Sequence, residues 1–186
     1  MLLLVGLGNP SPDNEHNRHN IGFKVIDAIN QEFSLSKQKP KFKGLLTTGN
    51  IGNKKVYAIK PLTFMNNSGQ AIRELIEYFK IDSKEVFVFH DDLDIELGKI
   101  KAKFAGSSAG HNGIESIDKF IGKDYSRIRI GIGRPDSKEE ITDHVLKNFS
   151  EEEKEEMIQT IKRITSSFLI LIDKKLELFS SKVNQK

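Results

Sequence analysis

The chain contains no cysteine among its 186 residues. That absence excludes a disulfide framework, a cysteine-ligated zinc site and a thiol nucleophile, and it is typical of proteins in a reducing compartment. Long apolar runs are missing as well, since none approaches the roughly 20 residues that a membrane-spanning helix needs. The apolar start MLLLVGLG is too short for a signal peptide and has no basic residue before its apolar run. We therefore expect a cytoplasmic protein that does not associate with a membrane.

A dominant charge of either sign is also missing. Lysine and arginine number 29 against 26 aspartate and glutamate residues, so the formal net charge is only +3. Hydrophobic residues make up 37% and charged residues 30% of the chain, which is typical of a folded globular protein rather than a disordered one. A chain of this length buries a full core without disulfide or metal support. Because the sequence shows neither a repeat nor a low-complexity linker, we predict a single domain over residues 1–186.

Apolar runs and alternating patterns predict strands and helices in turn along the chain. Helical spacing of apolar residues begins at three places. The first helix starts at Asn20, the second follows Ser68 as its N-cap, and the third starts near residue 114. Strands that alternate with helices predict an α/β fold, here a three-layer α/β/α domain with a twisted, mixed and mostly parallel sheet. The predicted strands are residues 2–7, 42–48, 55–60, 85–89, 99–104 and 127–132, the second and third forming a hairpin.

The C-terminal part of the sequence has a different pattern. Ser150 followed by Glu153 fits a capping box, and the acidic run that follows suits a helix N-terminus. Apolar residues then recur every three or four positions from Met157 to Ile172. This pattern predicts one long helix at about 151–179 that packs on the core.

Polar side chains follow several of the predicted strands at the point where each strand ends. Open α/β sheets bind their ligands at that edge. A histidine held by an aspartate is a general base near neutral pH, and asparagine amides both donate and accept without adding charge. No residue has the setting of an activated nucleophile, so the pattern predicts hydrolysis of an ester or amide by direct attack of water. The strand-end residues are Asn9, His19, Asn66, His90, Asp91, Asp92, Asp94, His111 and Asn112.

Three motifs favour other functions. The segment GSSAG at 106–110 matches the nucleophile elbow of serine hydrolases, but the strand before it is basic and half exposed. Gly6 and Gly8 resemble the start of a dinucleotide-binding fingerprint, without its third glycine. A divalent metal is the third alternative, and its candidate ligands are the Asp cluster with His16, His19, His90 and His111.

Basic residues cluster between residues 95 and 135, where 8 Lys and Arg stand against 4 Asp and Glu. Lys99, Lys101 and Lys103 alternate along one predicted strand, and Arg127 and Arg129 along another. Such a face is either a solvated sheet edge or a surface that positions phosphates.

Seven segments together resemble the bacterial-type peptidyl-tRNA hydrolases, and they cover most of residues 3–135 in order. That resemblance implies an enzyme that cleaves the ester between a peptide and the ribose at the tRNA 3′ end. It further implies a monomer that needs no metal or cofactor and whose partner is peptidyl-tRNA, bound by its acceptor stem, 3′ end and nascent peptide. The segments are VGLGNP, RHNIGF, KPLTFMNNSGQAI, HDDLD, GKIKAKF, GHNGIESI and RIRIGIGRP.

The resemblance also implies roles for individual residues. His19 matches the catalytic base that activates water, and Asp91 the acid that orients it. Asn9 matches the residue that separates peptidyl-tRNA from free aminoacyl-tRNA, with its amide accepting from the peptide N–H. Asn14 stands where the family usually has a tyrosine, which puts a substrate-stacking contact there in doubt, and His111 reads as structural. Positions matching substrate contacts are Phe64, Met65, Asn66 and Asn112, and those matching phosphate contacts are Lys101, Lys103 and Arg129.

A catalytically silent RNA-binding module that uses the same basic face is the competing hypothesis. It predicts binding of RNA without turnover, so an assay with peptidyl-tRNA separates it from the enzyme.

Overall fold

A computed structural model describes residues 1–185, which form one seven-stranded sheet in the order β2-β3-β4-β1-β5-β7-β6. The four central strands are parallel, whereas the hairpins β2–β3 and β3–β4 and the pair β6–β7 are antiparallel. The strands are β1 (Leu2–Gly6), β2 (Lys39–Lys41), β3 (Gly44–Ile51), β4 (Lys54–Pro61), β5 (Val86–Asp92), β6 (Ile100–Phe104) and β7 (Ser126–Gly131).

Helices cover both faces of this sheet and bury an apolar cluster on each. One cluster lies under α1 and the C-terminal helices, and the other under α2 and α3. The predicted three-layer α/β fold with a mixed sheet is confirmed. The helices are α1 (Ile21–Glu32), α2 (Ser68–Phe79), α3 (Asn112–Ile121), α4 (Ile141–Leu146), α5 (Glu151–Ser166), α6 (Phe168–Ile172) and α7 (Leu176–Val183).

Two local predictions need correction. Ser68 is the first residue of α2 rather than its N-cap, which is Asn67, and the Ser68 hydroxyl donates to the Met65 carbonyl at 2.9 Å. The short strand β2 was not predicted, because its sequence, KPK, has no apolar residue other than proline. It pairs with residues 44–46 of β3, and Phe42 and Lys43, predicted as the start of that strand, instead form the loop between the two.

The single helix predicted at about 151–179 is three helices, which is a further correction. The capping box of Ser150 and Glu153 starts α5 as predicted. The helix stops at Ser167, and Lys174 ends α6 in the left-handed region with φ 63°. The apolar spacing continues through Ser167 and conceals the break, since both α5 and α6 bury their apolar residues in the same cluster.

The last helix, α7, covers the outer edge of β6. The Ile100 N–H donates to Asn184 Oδ1 at 2.9 Å, and Asn184 Nδ2 donates back to the Ile100 carbonyl at 2.8 Å. The Ala102 N–H donates to the Ser180 hydroxyl at 2.9 Å. Backbone groups on a sheet edge otherwise recruit other strands, so these side chains close the edge that carries Lys101 and Lys103.

Within residues 1–185, none of the helices has the length and apolar character that crossing a bilayer requires.

We expect Asn184→Leu to lower the free energy of unfolding by about 1–3 kcal/mol, because the Ile100 N–H and carbonyl lose their partners. Asn184→Asp keeps the acceptor and loses the donor, so its loss should be smaller. Lys182→Leu on an exposed position of the same helix is the control. Urea denaturation measures all three, and an Asn184→Leu variant as stable as the control would contradict the role of this contact.

Candidate active site

A pocket of about 510 Å³ opens beyond the carboxyl end of β5, the edge where the sequence places its polar residues. Seven of the residues to which the resemblance assigns a catalytic or substrate contact line it, and they come from four separate segments of the chain. The other strand-end candidates, His90, Asp92, Asp94 and His111, line it as well. The seven residues are Asn9, His19, Phe64, Met65, Asn66, Asp91 and Asn112.

Asp91 sits at the centre of the polar groups, with a relative exposure of only 2%. Its two carboxylate oxygens have different histidine partners. Oδ2 lies 2.7 Å from His19 Nδ1, and Oδ1 lies 2.7 Å from His111 Nε2. His111, which reads as structural in the sequence, therefore both caps α3 and contacts the carboxylate that holds His19.

The partners of the two rings determine which nitrogen carries the proton. Nδ1 of His111 accepts from the backbone N–H groups of Gly113 and Ile114 at the start of α3. Nε2 must therefore carry the hydrogen that His111 donates to Asp91. His19 uses Nδ1 toward the same carboxylate, which leaves Nε2 as the nitrogen that can accept a proton at the pocket.

Burial and charge act in opposite directions on this group. Desolvation alone would raise the pKa of Asp91, but the charges and hydrogen bonds of His19 and His111 hold it well below its ordinary value. Desolvation lowers the pKa of His19, and the Asp91 carboxylate reverses that effect and raises it above 6.5. Burial lowers the pKa of the neighbouring His90 to about 3. The pKa values of His19 and His90, both next to Asp91, are thus shifted in opposite directions.

Asn9 is held by both its backbone and its side chain. Asn20 accepts from the Asn9 N–H at 2.8 Å and donates to the Asn9 carbonyl at 3.0 Å. Asn9 Oδ1 accepts from the Met65 N–H at 2.9 Å. This bond fixes the amide so that Nδ2, a donor, is the group left for a ligand. The oxygen expected to accept from a peptide N–H thus already accepts from the protein, whereas Nδ2 has no partner within residues 1–185.

The segment after β4 carries backbone strain at the pocket wall. Phe64 has φ 60° and ψ 162°, a conformation that residues with a Cβ rarely adopt, and the residue is 57% exposed. Met65 beside it is buried. Asn66 and Asn112 project into the pocket with amides that bond to no other residue within 1–185.

The structure leaves Asn14 outside the pocket. Its side chain accepts from Asn17 Nδ2 at 2.9 Å, and it is not among the residues that line the cavity.

The basic residues divide into two groups. Lys101 and Lys103 are exposed on β6, and Lys101 lies opposite Arg129 on β7. Arg129 donates from Nε to Asp92 at 2.7 Å. Arg127 is 2% exposed and pairs with Asp118, so it does not belong to the basic face. The alternation of Arg127 and Arg129 along β7 correctly predicts that they share one face of the sheet. It does not predict that the loop containing Ser107 covers Arg127.

Sequence reasoning missed Arg18, which precedes His19. Its guanidinium donates to the His144 carbonyl at 3.1 Å and forms an ion pair with Glu153 at 2.8 Å. Its N–H donates to the Lys147 carbonyl at 3.0 Å. Residues of α4 line the pocket, so Arg18 ties that wall to the turn carrying His19. The adjacency of Arg18 to His19 is the one sequence signal that points to it.

The alternative chemistries have less geometric support. Ser108 in the GSSAG loop lies 3.4 Å from Glu115 and has no imidazole partner in the described chain. After β1 the chain forms a 3₁₀ turn rather than the helix of a dinucleotide site. His19, Asp91 and His111 offer three possible metal-ligand atoms within 4.8 Å of one another. Their N–O separations of 2.7 Å are hydrogen-bond distances, and His16 and His90 lie outside the group.

Comparisons with known proteins agree on one family. The sequence model of the family described as peptidyl-tRNA hydrolase matches residues 3–186. A peptidyl-tRNA hydrolase of Pelagibacter ubique is 75% identical over 186 residues, all of both chains. One of Bartonella henselae is 46% identical over 185 residues, covering 100% of this chain and 96% of that one.

Solved structures give the same result. A crystal structure of peptidyl-tRNA hydrolase from Acinetobacter baumannii superposes with a TM-score of 0.93 at 34% identity, covering 99% of this chain and 94% of that chain. Since the family model spans nearly the whole sequence and the relatives cover it end to end, the chain belongs to the peptidyl-tRNA hydrolase family.

Proposed function

We propose that this chain hydrolyses the ester between peptide and tRNA, with His19 as the general base and Asp91 as the group that orients it. The observation that carries the proposal is the 2.7 Å bond from His19 Nδ1 to the buried Asp91 carboxylate, which leaves Nε2 to the pocket. An imidazole whose pKa is raised by a carboxylate is a stronger base than an isolated one.

The reaction then needs no covalent enzyme intermediate. A water molecule gives a proton to His19 Nε2 as its oxygen bonds to the ester carbonyl carbon. When the tetrahedral intermediate collapses, the bond from that carbon to the ribose oxygen breaks. The same proton passes from the imidazolium to the leaving oxygen, and Asp91 stabilises the imidazolium between these steps. The products are a peptide with a free carboxyl group and a tRNA with a free hydroxyl.

The asparagines surround this chemistry with neutral hydrogen-bonding groups. Asn9 Nδ2 is free to donate to a carbonyl oxygen, either that of the ester or that of the preceding peptide bond. A peptide carbonyl is absent from free aminoacyl-tRNA, so the second of these contacts selects for a peptidyl substrate. We assign Asn66 and Asn112 to the ribose and terminal nucleotide, and Phe64 and Met65 to the apolar side of the peptide path.

The acceptor stem is assigned to the edge of the sheet beside the pocket. Lys101, Lys103 and Arg129 lie together there, on the strands β6 and β7. Lysine and arginine in such an array position phosphates without reading sequence. We further propose a monomer, as the resemblance to this family implies. We place it in the cytoplasm, where tRNA is used.

His19→Ala should abolish release of peptide from purified peptidyl-tRNA while the fold survives, because the proton acceptor is lost. Asp91→Asn should lower kcat by roughly 10²- to 10⁴-fold, since the imidazole loses its orienting charge. Single-turnover hydrolysis with circular dichroism as the folding control measures both. Full activity of His19→Ala, or an Asp91→Asn variant that changes KM alone, would contradict these roles. RNA binding without turnover by the unmodified chain would support the silent binding module instead.

Asn9→Asp distinguishes the donor from the acceptor role of this residue. Aspartate keeps an oxygen for the Met65 N–H and loses the Nδ2 donor, so we expect kcat/KM to fall roughly 10²- to 10³-fold, as for loss of an oxyanion-hole donor. Steady-state hydrolysis of one acetylated aminoacyl-tRNA is the measurement. An Asn9→Asp enzyme near wild-type activity would show that the amide oxygen is the functional group.

A further inference from the structure

The net positive charge of the whole chain comes from one short stretch far from the basic face of β6. Residues 33–55 contain six lysines and no aspartate, glutamate or arginine, a local charge of +6. Since the chain as a whole carries +3, the other residues together carry −3. Four of these lysines alternate in the sequence SKQKPKFKG, which we call the lysine strip: Lys37, Lys39, Lys41 and Lys43.

The lysine strip lies on and beside β2, the outermost strand on the side of the sheet opposite to β6. Six inter-strand steps of about 4.8 Å separate these edges, or roughly 29 Å. All four lysines are exposed. Lys37 and Lys39 have no ion-pair partner in the chain as far as residue 185, and Lys43 pairs with Glu74 at 2.6 Å.

Aromatic rings lie directly against this strip. Lys41 Nζ stands 5.3 Å from the centroid of the Phe42 ring and 5.3 Å from that of Tyr78. The centroids of the Phe42 and Tyr78 rings are 5.4 Å apart. Next to them, the Phe79 ring stacks on the Tyr57 ring at a centroid distance of 4.1 Å. Tyr78 remains 65% exposed. These four side chains, Phe42, Tyr57, Tyr78 and Phe79, are the ring cluster.

The turn that presents the strip is sterically unfavourable for its residues. Phe42 and Lys43 form the two-residue loop between Lys41 and Gly44, with φ of 53° and 55°. A loop with two positive φ angles favours Asn-Gly, because a Cβ disfavours that conformation. Here the loop instead carries a ring and a charge, and the ring packs on Tyr78.

Lysine and proline on an outer strand also prevent pairing with other strands. That protection explains Lys39 and Pro40 on β2. It requires neither the positive φ angles of Phe42 and Lys43 nor an exposed tyrosine in contact with a lysine. The acidic residues nearest in sequence to Tyr78 on α2 are already neutralised, Glu74 by Lys43 and Glu77 by Arg73.

We infer that the lysine strip and the ring cluster form a second RNA-binding surface, which takes a single-stranded segment with unpaired bases. Alternating lysines follow a phosphate backbone, and an exposed ring with a cation beside it stacks on any base. The surface is separate from the pocket, so it would hold RNA without contacting the ester.

Two matched triple variants test this surface. Lys37→Gln/Lys39→Gln/Lys41→Gln removes three charges from the strip. Lys162→Gln/Lys175→Gln/Lys182→Gln removes three exposed charges from the C-terminal helices, so both variants have the same net charge. The probe is a fluorescein-labelled single-stranded RNA of mixed sequence, followed by anisotropy over a range of salt concentrations.

The strip variant should bind more weakly than the control, and the slope of log affinity against log salt should become shallower by about 2, at about 0.7 per phosphate contact. Tyr78→Ser should weaken binding roughly 5- to 150-fold without changing that slope. Tyr78→Phe should bind like the wild type. Hydrolysis of peptidyl-tRNA should be unchanged in all of these variants, so failure of this surface is distinct from failure of the proposed catalytic roles.

Three results would overturn the proposal. The strip variant could bind RNA as the control variant does, Tyr78→Ser could bind as the wild type does, or polyglutamate of equal length could compete as well as RNA. The last result would identify the surface as one for acidic proteins.

Discussion

The buried carboxylate of Asp91 is the interaction on which the site depends. A charged group with 2% exposure is stable only when its oxygens are bonded, and here two imidazoles bond one oxygen each. His111 contributes a fixed N–H, because the start of α3 occupies its other nitrogen. The start of α3 thus positions His111, and His111 and His19 hold the carboxylate through separate oxygens. The same carboxylate joins the helix carrying Asn112 to His19, the proposed base.

A second constraint joins Asn9 to the strained segment after β4. The Asn9 oxygen holds the Met65 N–H, next to Phe64 in a conformation that costs about 1–3 kcal/mol. Because the Met65 N–H occupies one lone pair of this oxygen, Nδ2 is the group of the amide that has no partner within residues 1–185. The side chain that holds this segment is thus also the one proposed to contact the substrate.

The sequence predicts the parts of the site that follow strand ends. Asn9 and Asp91 come after buried strands, and the periodicity that begins at Asn20 places His19 at a helix start, so their proximity follows from the parallel sheet. What could not be predicted depends on contacts across long separations. No local pattern shows that His111 reaches Asp91, 20 residues earlier, or that Asn9 turns its oxygen to Met65, 56 residues later. Arg127 has the same alternation as Arg129, yet Asp118 and the loop at Ser107 bury it. The fold could be predicted because it depends mainly on which residues are apolar and on the spacing between them. The helix break at Ser167 could not be predicted, because the apolar spacing continues unchanged across it.

The Asp91 carboxylate holds His19 and His111 in opposite tautomers. Nitrogen NMR of protein labelled with ¹⁵N at histidine measures this directly near pH 8, with His19→Gln and His111→Gln used for assignment. We predict that neutral His19 carries its hydrogen on Nδ1 and His111 on Nε2, and that the His19 signals titrate with a pKa above 6.5 that falls in Asp91→Asn. If His19 carried its hydrogen on Nε2, or if its pKa were unchanged in Asp91→Asn, the account of the base would be contradicted.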